Sequence, residues 1–180
     1  MKIKIQIKSL VGNVLFELNK EDNTLARTLE QAVKESANLW GADLWGADLW
    51  GANLESANLW GANLRGAKEI PQSYINICSR DMLFIFQSLK KELPFLRKAL
   101  IEGRVNGSQY EGECACLIGT LANADGGLDK VCGAIPFYEM GLHNPGEQWF
   151  YQIREGDKPE NSFFAKHALT LIDKVLKKRK

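Results

Sequence analysis

The sequence predicts an α+β protein: a β-hairpin and a capping helix, then a short coil built on a five-residue repeat, then an α-helical domain. Three observations carry this. Residues 2–8 (KIKIQIK) alternate apolar and polar. Residues 37–67 repeat Ala at every fifth position and Leu two residues after each Ala as far as Leu64. Beyond Pro71 the apolar residues fall at helical spacing.

The hairpin comes first in the chain. Ile3, Ile5 and Ile7 share one face of a strand, and Lys2, Lys4, Gln6 and Lys8 the other. Gly12-Asn13 supplies the turn, and Val14, Phe16 and Leu18 alternate again; alternation on both sides of such a turn is the hairpin signal. Lys20 to Asn23 reads as a polar loop. Thr24 to Lys34, with Leu25, Leu29, Ala32 and Val33, reads as a helix that leads into the repeat. Hairpin and helix are placed to cover the open end of the coil, which otherwise exposes unpaired edges.

The repeat itself excludes both common structures. Five residues advance an α-helix by about 140°, which scatters the leucines around it. On a strand an odd step puts alternate leucines on opposite faces. A coil that turns a corner every five residues gathers Leu39, Leu44, Leu49, Leu54, Leu59 and Leu64 into one column, with the Ala beside them. Gly41, Gly46, Gly51, Gly61 and Gly66 fall at the corners, with Ser36 and Ser56 in the same slots. The Asn or Asp before each Leu and the residue after it point outward. Trp40, Trp45, Trp50 and Trp60 occupy that second beat, with Glu55 and Arg65.

This A(D/N)LXX pattern resembles the pentapeptide-repeat family, over about a fifth of the chain. The resemblance implies a right-handed, four-sided β-solenoid and gives no catalytic residue. With four units per turn, Trp40 stacks under Trp60 and Trp45 under Arg65, about 4.8 Å apart. Two readings of the tryptophans follow. They form a stabilising ladder or a wall against other elements, or they form an aromatic patch for a partner, made of Trp40, Trp45, Trp50, Trp60 and Arg65. The family's best-known activity, mimicry of DNA by a long acidic rod, does not fit. Two coils make a rod of about 10 Å, and Asp43, Asp48, Glu55 and Arg65 do not make an acidic face.

After Lys68 the repeat stops. Residues 79–91 read as a buried helix capped by Ser79, and 94–102 as a second, with Pro94 in its first turn and Gly103 ending it. Residues 105–112 read as a polar, Gly-rich connection, 113–123 as a packed helix, and 128–134 as a short one. Asn144-Pro145-Gly146-Glu147 reads as a capping box opening a helix through Glu155, ended by Gly156. Asn161 or Ser162 caps a last helix to about Lys177, with a stripe of Phe164, Ala168, Leu171, Ile172 and Val175. The domain boundaries are thus 1–70 and 71–180. The layout resembles that of small pentapeptide-repeat proteins of phage and host-associated bacteria, which implies a mobile-element origin.

Composition limits the function. A net charge of +1 makes no global demand for nucleic acid. The basic residues 174 and 177–180 are a solvated helix end favoured by the dipole, or part of a basic surface with Lys2, Lys4 and Lys8. No run reaches transmembrane length and the N-terminus is not a signal sequence, which points to a soluble, cytoplasmic protein. The four cysteines, Cys78, Cys114, Cys116 and Cys132, are then reduced. Cys114-x-Cys116 lacks zinc spacing, and Cys132 and His143 do not complete a set, so no metal and no cofactor is expected. No catalytic residue is assigned.

The densest polar-aromatic cluster outside the repeat is at 144–155. Asn144, Gly146, Gln148, Tyr151, Gln152 and Arg154 form a candidate ligand site, where a helix N-terminus holds an anion and an aromatic ring stacks a base. Glu147 opposes this, as its carboxylate competes for the same positive end. The alternative is an amphipathic helix with Trp149, Phe150 and Ile153 buried. The leading functional reading is a non-catalytic binding protein with a protein partner, in phage form an inhibitor of a host defence component. The others are a receptor that sequesters a small anion such as a nucleotide, and a hydrolase using carboxylates among Glu111, Glu113, Asp125 and Asp129. The apolar segments MLFIF at 82–86 and Phe163-Phe164 suggest a homo-oligomer.

Overall fold

The computed structural model describes residues 1–59, 61–109, 116–125, 127–135 and 144–177. They form two compact units, Met1–Ile77 and Cys78–Lys180.

The first unit opens with β1 (Lys2–Lys8) and β2 (Val14–Glu21), paired antiparallel from Lys2–Glu21 to Lys8–Val14 with an irregularity between Ile7 and Lys8. Of the three isoleucines only Ile7 is fully buried, and Ile3 is exposed. The second strand runs to Glu21, past the expected loop start. Asn23, expected in a polar loop, is buried: its amide donates to the carbonyls of Ile3 (3.3 Å) and Leu18 (3.0 Å). The local bonds of a buried Asn replace what water would supply. Helix α1 (Leu25–Lys34) starts at Thr24, whose hydroxyl accepts the Arg27 N–H at 3.2 Å, as an N-cap should. It buries Thr28, Leu29 and Ala32.

From 35 to 71 the described residues form turns, bends and isolated bridges in place of continuous strands. The chain nevertheless returns beside itself every twenty residues. Asp43 pairs parallel with Asn63, and Asp48 with Lys68. Leu44 N donates to Asn63 O (3.0 Å), Asn63 N to Ala42 O (2.9 Å), and Leu49 N to Lys68 O (3.1 Å). All six repeat leucines are buried. The corner glycines Gly41, Gly46, Gly51, Gly61 and Gly66 all have positive φ, between 64° and 76°. Ser36 and Ser56 hold the same conformation at φ 55° and 69°, where a Cβ is strained. The hairpin joins the first turn of the coil: Asp43 N donates to Lys8 O and Leu10 N to Gly41 O.

Helix α2 (Gln72–Ser88) corrects the sequence reading. It starts seven residues before Ser79, which lies inside it. Pro71, taken as only a breaker, leads the helix, and its carbonyl accepts from Ile75 N at 3.1 Å. Tyr74, Cys78, Met82, Ile85, Phe86 and Leu89 are all buried, a stripe at helical spacing that ignores the polar residue at 79.

In the second unit, α3 (Leu93–Glu102) packs on α4 (Leu117–Asp125) and α7 (Phe163–Lys177), α4 packs on α5 (Leu128–Ala134) and α6 (Pro145–Tyr151), and α6 packs on α7. Gly103 ends α3 with φ 71°. Ser162 caps α7, accepting from Ala165 N at 3.3 Å. The α7 stripe is buried as expected, with Ala165 added. Arg97 on α3 and Asp173 on α7 pair at 2.7 Å. The domain encloses Met82, Ile85 and Phe86 of the 82–86 segment and leaves Phe84 47% exposed. The expected polar connection after α3 is in part core: Val105 and Gly107 are buried, and Gly107 N donates to Ile153 O at 2.9 Å. A side-chain carbon at Gly107 would overlap the Phe150 carbonyl.

No helix among the described residues is long and apolar enough to cross a membrane.

Candidate functional site

The outward beats of the repeat are built by one local device. In five of the units the Asn or Asp side chain accepts the backbone N–H two residues further on. Asn38 Oδ1 accepts from Trp40 N (3.0 Å), Asp43 from Trp45 N (3.3 Å), Asp48 from Trp50 N (3.1 Å), Asn53 from Glu55 N (2.9 Å) and Asn63 from Arg65 N (3.2 Å). This Asx turn satisfies an N–H that the corner would otherwise orphan. It also commits the next side chain to the outside. The amides stitch successive coils too: Asn58 Nδ2 donates to Asn38 Oδ1 at 3.2 Å, and Asn63 Nδ2 to Asp43 Oδ1 at 3.3 Å.

The tryptophans follow from that geometry. Trp40 is 49% exposed, Trp45 72% and Trp50 76%. The indole nitrogens of Trp40 and Trp45 lie over the corners of the next coil, 3.6 Å and 3.9 Å from where a side-chain carbon would stand at Gly61 and Gly66. Trp50 is the most exposed of the three and sits beside a cavity against α1. Trp60 lies outside the described residues; Arg65, on the same beat, is half-buried.

The 144–155 cluster is assembled differently from its expectation. Asn144 makes no side-chain capping bond. Glu147 is buried and accepts the Ile118 N–H at the start of α4 at 3.0 Å. The helix ends at Tyr151 instead of Glu155, because 153–156 pair elsewhere: Ile153 O with Gly107 N, and Gly156 N with Gly103 O. Asp157 accepts from Arg154 N at 2.9 Å and fixes that turn. The Gly146 N–H, the donor an anion would need, is taken by Asp81 Oδ2 at 2.8 Å. Burial raises the Asp81 pKa, partly offset by that bond. Gly146, Gln148 and Gln152 are buried, Gln152 only 2% exposed. The Arg154 guanidinium stacks on the Tyr151 ring at 4.7 Å and donates to the Tyr151 carbonyl. Of the six proposed ligand residues Gly146, Gln148 and Gln152 are buried and Asn144, Tyr151 and Arg154 half-buried, on the helix and turn that carry Trp149. That indole donates to Phe164 O at 2.9 Å and meets the Phe164 ring edge-on at 4.8 Å.

Further titratable groups belong to the same interior. Ser79 Oγ and His167 Nε2 lie 2.7 Å apart, and burial lowers the His167 pKa. The Cys116 thiol is pushed up to about 12 by burial and by the Glu147 carboxylate, so it is an inert thiol. Burial also raises Cys132, with Asp129 and Glu147 adding to the effect. Glu111, Glu113, Cys114, His143 and residues 178–180 lie outside the described residues, as does the side chain of Asp125. The described His, Cys, Asp and Glu residues form no group of three placed to hold a metal ion.

A five-residue beat, a twenty-residue turn and an Asx turn in each of five units define a short repeat scaffold. Residues 35–68 match the family model of pentapeptide repeats in eight copies, so this segment is a pentapeptide-repeat segment. No curated protein and no solved structure matches the chain.

Proposed function

We propose that the protein is a non-catalytic interaction protein whose repeat is a short right-handed, four-sided β-solenoid displaying tryptophans to a protein partner. One observation carries the reading: Trp45 and Trp50 are 72% and 76% exposed although the coil has an apolar interior. A purely stabilising ladder would bury them. Large amphipathic rings standing on a rigid backbone contribute strongly at protein interfaces, because little side-chain entropy is lost on contact. Trp40, Trp45 and Trp50 stand on three successive sides, so the partner wraps a corner or meets one side at a time. A partner in a host defence system is the form suggested by the likeness of layout to phage proteins, and such a role needs binding without turnover.

The test is co-purification from the native cells with wild type, Trp45→Ala and Trp50→Ala. A partner retained by wild type and lost from either variant, at unchanged melting temperature, supports the reading. A partner held equally by all three excludes these two faces as the interface.

A further inference from the structure

Six positions of the repeat, 38, 43, 48, 53, 58 and 63, carry Asn or Asp. Where the acceptor bond is described, Asn performs it as well as Asp: 2.9 Å from Asn53 and 3.1 Å from Asp48. The fold therefore calls for a side-chain oxygen at 48 and has no use for a charge there. Asp48 nonetheless brings one to a cavity of about 550 Å³, shared with Trp50 and, from α1 and the turn before it, Asp22, Arg27 and Glu30. One Glu30 oxygen accepts Asn53 N at 3.2 Å, which leaves the other for a ligand. Arg27, the one cation among these lining residues, donates from Nη1 to the Asp22 carbonyl at 2.6 Å. Three carboxylates against one guanidinium leave two negative charges around a ring that is 76% exposed.

We infer that this cavity binds an organic cation, a guanidinium or alkylammonium group, which lies on the Trp50 indole and pairs with Asp48 and Glu30. An indole face attracts a cation through its quadrupole. A carboxylate beside it adds a charge-assisted hydrogen bond, strongest in the planar fork of a guanidinium. The volume lies within the range of small-ligand sites, about 300–1,000 Å³, and admits one arginine side chain with its flanking backbone. The start of α1 presents the opposite preference, since a helix N-terminus favours anions. Its first turn is already capped by Thr24. This inference rests on the repeat being a binding surface and names the chemistry that one side of it takes.

The experiment is isothermal titration of the whole chain, at low salt, with N-acetyl-argininamide, a tetra-arginine peptide and inorganic phosphate. Saturable binding of the two cations is expected, at least tenfold weaker in Trp50→Ala and in Asp48→Asn. Asp48→Asn keeps the Asx turn, as Asn53 does, so its melting temperature stays that of wild type. Val11→Ala, at an 82% exposed position in the hairpin turn, leaves cation binding unchanged. A tighter peptide than monomer places the cation on a polypeptide, equal affinity places it on a small molecule, and either result supports the site. Absence of cation binding, binding unaltered in both variants, or preference for phosphate overturns it. Should the cation arms fail while Trp45→Ala still releases the partner, this inference falls and the interaction role stands.

Discussion

Leu49 and Trp50 are neighbours in sequence with opposite fates, and truncating each to Ala measures the register of the repeat. Leu49 is 0% exposed and Trp50 76%. Removing a fully buried Leu side chain costs about 2–5 kcal/mol, the transfer term plus the cavity left behind. The backbone bonds at 49, to Lys68 O and from Ala52 N, survive the substitution, so the loss is one of packing alone. The Trp50 side chain hides about a quarter of its surface. For a ring of about 250 Å² that is about 60 Å², at most ~1.5 kcal/mol at 25 cal/mol per Å². In a unit of 77 residues, Met1–Ile77, each kcal/mol moves the melting point by roughly 4–8 °C. Leu49→Ala therefore lowers it by roughly 12–24 °C for a loss of about 3 kcal/mol, and Trp50→Ala by at most half of that. Scanning calorimetry of the whole chain reads both, because the two units need not melt together. Equal losses at 49 and 50, or a larger loss at 50, would refute the inward and outward assignment.

Three further outcomes follow from named contacts. Ser56 stands at φ 69° in a corner slot that glycine fills elsewhere; Ser56→Gly should raise stability by about 1 kcal/mol and Gly51→Ala lower it by about as much, measured by urea unfolding. Asp81 has a raised pKa in the folded state, so the stability it contributes is full below the ordinary carboxylate pKa and is lost as pH rises through the folded value. Asp81→Asn, which still accepts from Gly146 N, should melt at or above wild type at pH 7, whereas Asp81→Ala should melt lower because the N–H is orphaned. Lower stability for Asn than for Ala would contradict this. Gly107→Ala should disrupt the second unit, since the new carbon overlaps the Phe150 carbonyl; a wild-type near-ultraviolet circular dichroism spectrum would show that the packing of 107 against 150 is wrong.

What was legible in the sequence was what repeats or alternates. The five-residue beat placed the leucines inside and the tryptophans outside, because small side chains at the corners and a fixed two-residue offset leave the chain one solution. The hairpin, Thr24, Pro94, Gly103 and Ser162 were legible because caps and turns have local chemistry. The start of α2 was not. Ser79 looks like a cap, and only the buried stripe through Tyr74 and Cys78 shows that tertiary packing overrides it. The contacts of the 144–155 cluster were not legible for the same reason. Its cap motif is local, but the partners that occupy it, Asp81 for Gly146 and Ile118 for Glu147, lie 65 and 29 residues away. The Asx turns were within reach, since an Asn or Asp three residues before each corner residue is the turn-forming side chain expected there. The cavity beside Trp50 was not, because Asp22, Glu30 and Asp48 converge only once α1 folds beside the coil.

The central claim is that tryptophans on the repeat are a contact surface. Hydroxyl-radical footprinting of the free chain and of its co-purified complex tests it most directly. In the free chain Trp45 and Trp50 should oxidise fast, and Trp149, which is 0% exposed, hardly at all. In the complex Trp45 or Trp50 should be protected several-fold while Trp149 does not change. Oxidation of Trp45 and Trp50 at the same rate in both states would contradict the account.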